Sequence, residues 1–118
     1  MIIAVPMDEN KKDVCVSFGR APFFLFSNSE TGKNEFRTNP AAEASGGAGV
    51  TAAQAVVDGG ADTLITVRCG ENAAEVFKAA NVKIYKADGS DAEANLKALA
   101  EGRLEELTHF HAGYHGIK

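Results

Sequence analysis

Up to Pro40 the apolar residues alternate with polar ones or form short apolar runs; beyond it they recur at helical spacing between short apolar segments. The first half predicts strands. Met1 to Pro6 is an apolar strand, Asp8 to Asp13 a charged connection, and Val14 to Val16 and Phe23 to Asn28 two further strands. Ser29 to Asn34 reads as a hairpin turn, and Glu35 to Thr38 as a shorter, more polar strand near a sheet edge.

The second half predicts helix, strand, helix, strand, helix. Gly49 to Asp58 is a small-residue helix stopped by Gly59 and Gly60. Thr63 to Val67 is a strand, Glu71 to Ala80 a helix with apolar Ala73, Ala74, Val76 and Phe77, and Val82 to Lys86 a strand. Ser90 is placed to cap a last helix carrying Leu96 and Leu99, with Glu93 at capping-box spacing. The sum is an α/β fold with a mixed sheet: antiparallel N-terminal strands followed by right-handed βαβ units. Residues 1–107 form one domain, and Leu104 to Lys118, polar and rich in histidine, is expected to fray. The histidine-containing tail is taken as residues 108–118.

Composition narrows the function class. With 118 residues, 45% apolar and 24% charged, the chain has the balance of one soluble domain. Twelve basic against sixteen acidic residues give a net charge of −4, which argues against a general nucleic-acid binder. No apolar run approaches the ~20 residues of a membrane span. Met1 to Met7 reads as a buried strand rather than a leader, so a cytoplasmic location is expected. Cys15 and Cys69 form no CxxC pair, and no structural disulfide is expected.

Three segments carry candidate chemistry. The first is Val14 to Phe26, read as strand, tight loop, strand. Gly19 makes the turn, Pro22 stiffens it, and Arg20 is placed as a clamp for an anion or as a solvated turn residue with its stem over Phe18. The second is Ala44 to Gln54. Glycines leading directly into a helix make a backbone-lined anion site, although the preceding loop breaks the context of a dinucleotide fingerprint and no GK[ST] is present. Close packing of the helix on the sheet also calls for small residues there.

The third segment is Cys69 to Ala73, which follows a strand and opens a helix. A cysteine at a helix N-terminus is expected to have a lowered pKa and to suit a soft metal, and Asn72 is placed to cap the helix. Because ligands of open α/β sheets bind outside the carboxyl ends of the strands, the three segments should line one mouth. His109, His111 and His115 add imidazoles that could ligate a metal, without structural-zinc spacing.

Ser17-Phe18-Gly19-Arg20-Ala21-Pro22-Phe23-Phe24, then Asn39-Pro40, Gly47-Ala48-Gly49 before an Ala-rich helix, and Gly70-x-Asn72-Ala73 resemble the dinitrogenase iron–molybdenum cofactor biosynthesis family. The likeness spans about residues 1–107. It implies a ribonuclease H-like domain that binds or carries the iron–molybdenum cofactor or an iron–sulfur precursor, with donor or acceptor proteins as partners. Carried over by position, the pocket is Ser17, Phe18, Gly19, Arg20, Gly47, Gly49, Gly70, Asn72 and Ala73. Glu71 stands where the family often has proline, and Cys69 is an addition, treated with the tail histidines as a candidate metal ligand.

The residues argue against catalysis. A two-metal nuclease needs carboxylates along the central strands, and Met1 to Pro6 and Thr63 to Val67 carry none. No histidine falls in the ordered core to serve as a base beside Ser17 or Cys69. The expectation is a non-catalytic carrier for an iron–sulfur or iron–molybdenum-type cluster, with no nucleic-acid or membrane partner. A regulatory or scaffold domain binding a nucleotide or small anion is the competing reading. The pattern selects no oligomeric state.

Overall fold

The computed structural model describes residues 1–42, 48–108 and 110. In chain order its elements are β1 (Ile2–Met7), β2 (Phe23–Asn28), β3 (Asn34–Thr38), α1 (Ala48–Asp58), β4 (Thr63–Thr66), α2 (Glu71–Ala79), β5 (Lys83–Lys86) and α3 (Ala92–Ala100). β1 is apolar throughout and buried from Ile3 to Met7, so it takes the centre of the sheet. It pairs antiparallel with β2 and parallel with β4, giving the order β3-β2-β1-β4-β5. This is the mixed sheet expected from the alternation of elements, in keeping with the ribonuclease H-like domain that the resemblance implies.

Strand pleating divides the core into two layers. Ala4, Phe24, Phe26, Leu64 and Ile84 face α1 and α2, packing on Ala52, Val56, Ala74 and Phe77. Ile3, Val5, Met7, Leu25 and Ile65 face the other way, against Ala92 and Ala98 of α3. Burying a side chain such as Phe77, which has no exposed surface, contributes about 1.5–3 kcal/mol. Gly60 (φ +92°) ends α1 in the left-handed conformation that its missing Cβ allows.

Several boundaries differ from expectation. Val14 to Val16 is not a strand: Val14 makes a single bridge to Met7, and its N–H donates to the Ser90 carbonyl. Its amide is thus committed to the far side of the sheet, and β2 pairs with β1 instead. β4 stops at Thr66, whose hydroxyl donates to the Arg68 carbonyl and bends the chain. The cap of α3 is Asp91 rather than Ser90, and no side chain closes it. The Ala92 N–H donates to the Lys12 carbonyl, so the neighbouring loop does the capping.

Residues 104–107 do not fray. Leu107 N–H donates to Ile84 O, Lys86 N–H to Glu105 O, and Leu104 is buried against the α3 layer. This segment covers the outer edge of β5. Among the described residues no helix is long and apolar enough to cross a membrane.

Candidate functional site

The strand directions set where a site can lie. β1, β4 and β5 run parallel, so their carboxyl ends share one end of the sheet. β2 begins there and β3 ends there. Each helix follows a strand ending at that side, so α1, α2 and α3 all start there. Helix starts present unpaired N–H groups and a partial positive charge, which favours anions.

Residues 8–22 cross this end of the sheet. Asp13 bridges Asp91 and Val14 is buried in the α3 layer. Four residues later Phe18 is buried in the α1–α2 layer, 5.4 Å from the Phe24 ring and 5.5 Å from the Phe77 ring. Val16 and Ser17, between these anchors, are exposed. Phe18 is therefore the plug that fixes the crossing rather than a wall of an open pocket.

Gly19 then lies against the start of α1. A Cβ at Gly19 would stand 3.1 Å from the Gly49 nitrogen and 3.3 Å from the Ala48 carbonyl carbon. The glycine is required by this close backbone approach, not by the turn conformation expected from sequence. Gly49 in turn faces α2, where a Cβ would meet the Ala73 methyl at 3.7 Å. Gly19, Gly49 and Ala73 thus form one continuous contact across three elements.

A residue that sequence reasoning passed over holds the loop. Asn39, 2% exposed, donates from Nδ2 to the carbonyls of Gly19 (3.1 Å) and Ala21 (2.9 Å). Its Oδ1 accepts from the Ala41 N–H at 2.9 Å, and its own N–H donates to Pro22 O. The only sequence signal was its place in the Asn39-Pro40 pair. Arg20 projects from the clamped loop, exposed, with Nη1 3.5 Å from the Ala42 carbonyl. Arg68, exposed just after β4, is a second cation at this end that the sequence reading did not single out.

The Cys69 segment differs from expectation. Gly70, not Asn72, is the N-cap of α2, with extended backbone and no side-chain cap bond. Asn72 is exposed on the first turn, whereas Ala73 is buried beneath it. Cys69 is 1% exposed and its Sγ contacts the Gly70 carbonyl at 3.5 Å. Burial pushes its thiol up from 9.0 to about 12, the opposite of the expected lowering at a helix start. Desolvation also raises the Cys15 thiol, helped by Asp8 and opposed by a backbone hydrogen bond from Ser17.

Gly47 and the tail residues His109, His111 and His115 lie outside the described residues. Among the described residues no three His, Cys, Asp or Glu side chains converge on a point where they could hold a metal ion. The donors gathered at this end are cations and amide N–H groups, with the Ser17 hydroxyl. They suit an anion held by charge and hydrogen bonds better than a metal ion in a ligand cage. An open cleft of about 430 Å³ does exist, but at the opposite end, between Ile2, Phe26, Lys33, Arg37 and Gly59. It contains none of the converging groups described above.

The chain is similar to known proteins along most of its length. The chain is 31% identical to an uncharacterized protein of Methanocaldococcus jannaschii over 110 residues, covering 91% of this chain and 92% of that protein. It superposes on the apo form of the orange protein from Desulfovibrio gigas with a TM-score of 0.83, at 29% identity, covering 91% of this chain and 92% of that one. A NifB-like protein from Thermotoga gives a TM-score of 0.78 at 37% identity, covering 92% and 95% of the two chains. The model of the dinitrogenase iron–molybdenum cofactor family matches residues 1–102, and this chain belongs to that family.

Proposed function

We propose that this protein is a non-catalytic carrier that holds an anionic metal–sulfur cluster of the iron–sulfur or iron–molybdenum type at the helix-start end of the sheet. The observation that carries the reading is the contact of the Gly19 backbone with Ala48 and Gly49, which sets Ser17 and Arg20 beside the start of α1. Arg20 supplies a permanent charge, and the first N–H groups of α1 supply donors. Arg68 adds charge from the loop after β4. Family membership supports the ligand class.

A carrier must release its cargo, and contacts made by charge and amide groups suit that better than several direct metal bonds. Cys69 is not assigned as a ligand, because its thiol is buried and held protonated. The cluster is cargo rather than a resident cofactor, and donor and acceptor proteins are the partners implied.

Anaerobic incubation with iron, sulfide and molybdate, followed by desalting, tests the reading. The intact chain should retain metal and visible absorption. Arg20→Ala should lower retention by about two- to fivefold, the size expected when one exposed charge contact is removed. Replacing His109, His111 and His115 together by Gln separates a tail contribution from the Arg20 effect. A chain that retains no metal, yet binds inorganic phosphate through Arg20, would overturn the cluster in favour of a small-anion module.

A further inference from the structure

The two edges of the sheet are treated differently. The edge of β5 is covered by residues 104–107. β3 forms the other edge, and all five of its residues are exposed. Phe36, at its centre, is 40% exposed.

The ladder shows which backbone groups point outward. Asn28 N–H donates to Lys33 O, and Asn39 N–H donates to Pro22 O. In an antiparallel ladder bonded pairs alternate with non-bonded ones, so Glu35 and Arg37 turn their backbone groups toward β2. Asn34, Phe36 and Thr38 turn theirs outward, an open template for another strand.

The side chains select the partner and the register. Glu35 and Arg37 flank Phe36 and lie on the same face, bonded to each other at 3.1 Å. Two copies of β3 paired antiparallel about Phe36 put each Glu35 opposite the other copy's Arg37. Centring the pair on Glu35 or on Arg37 would set like charges face to face. Only the Phe36 register also lets Phe36 pair with itself and Asn34 with Thr38, all through outward-facing backbone groups. The strand is therefore complementary to itself, as a two-fold interface requires.

We propose that the β3 edge pairs with β3 of a second copy of this chain, antiparallel and centred on Phe36, to form a continuous sheet through the dimer. Pro40, two residues past Thr38, has no N–H to extend the ladder, so the pairing is short. An interface of one five-residue strand falls below the ~1,200 Å² of stable complexes, which makes the dimer weak and concentration-dependent. The helix-start ends of the two copies point in opposite directions and stay accessible.

Sedimentation velocity of the full chain from about 10 μM to about 1 mM tests this, a range that brackets weak association. The wild type should shift toward a dimer as concentration rises. Glu35→Arg alone and Arg37→Glu alone should each weaken self-association by about tenfold, because like charges then meet across the interface. An equimolar mixture of the two variants should associate again, since each Arg of one then faces a Glu of the other. As a second measurement, amide exchange at Phe36 and Thr38 should slow with concentration while Glu35 and Arg37 stay unchanged. A wild type that stays monomeric throughout overturns the proposal. So does a dimer indifferent to Glu35→Arg, or one whose Phe36 and Thr38 amides exchange at a constant rate.

Discussion

Replacing Asn39 by Ala should cost far more than an ordinary loop substitution. The change removes two donors and one acceptor from a residue that is 2% exposed. The Gly19 carbonyl sits in a half-buried residue, so water can replace that bond. Ala21 and Ala41 have no exposed surface, so the Ala21 carbonyl and the Ala41 N–H are left dry and unpaired. A buried group stripped of its partner costs about 1–3 kcal/mol, so two of them give about 2–6 kcal/mol. Against a typical total of about 5–15 kcal/mol this is a large fraction.

Urea denaturation followed by circular dichroism measures it. The midpoint should fall by about 1–3 M with an unchanged slope, taking a slope of about 2 kcal/mol/M, the middle of the range for small domains. Asn39→Asp sharpens the test. It keeps an acceptor for Ala41 but turns both donors into a carboxylate facing two carbonyls. That carboxyl is held protonated by its surroundings, so its folded pKa lies above its unfolded value. Its stability should then be greatest at acid pH and decline as pH rises. A loss below about 0.5 kcal/mol for Asn39→Ala, the size of a neutral surface change, would refute the clamp.

Gly19→Ala should destabilise by about 1–3 kcal/mol, because its Cβ meets backbone of α1 that cannot yield cheaply. Gly49→Ala, with only an ordinary contact to Ala73, should instead be neutral or gain up to about 1 kcal/mol of helix propensity; thermal melts compare the two. Phe18→Ala should cost about 3–5 kcal/mol in the same melts, since the ring packs on Phe24 and Phe77. Thiol titration with an alkylating reagent should modify Cys15 in the folded chain, more slowly than an exposed thiol because desolvation raises it, and Cys69 only on unfolding. The Cys69 thiol is raised in the fold, so its contribution is intact below about pH 9 and lost as pH climbs toward about 12. Alkaline denaturation should show this loss in the wild type and less of it in Cys69→Ala.

The strands and helices were legible because their periods are unambiguous. β1 is apolar at every position, and Gly59-Gly60 marks the end of α1. The failures fall where long-range contacts override local pattern. Val14 to Val16 has strand composition, but the Val14 amide is committed to Ser90, 76 positions away. Residues 104–107 look like tail, yet they bond to β5 through backbone groups that every sequence carries. The cap of α3 failed for the same reason: the Lys12 carbonyl does what a Ser90 hydroxyl was expected to do.

The candidate site shows a subtler division. Its order along the chain was readable, and Gly19, Gly49 and Ala73 do meet. What could not be read was which of them stand under the site and which stand in it. Phe18, Cys69 and Ala73 are buried and support the surface from below, whereas Ser17, Arg20 and Asn72 are exposed on it. Asn39 holds the exposed loop in place without facing the mouth side chain by side chain. Such a division is what the proposed anion site, built on backbone, would require. The donors are N–H groups common to all residues, so selection falls on small residues that let the backbone approach and on polar residues that lock it. A motif in such a protein marks where the main chain must be, and the ligand-facing chemistry has to be read from which way the chain turns there.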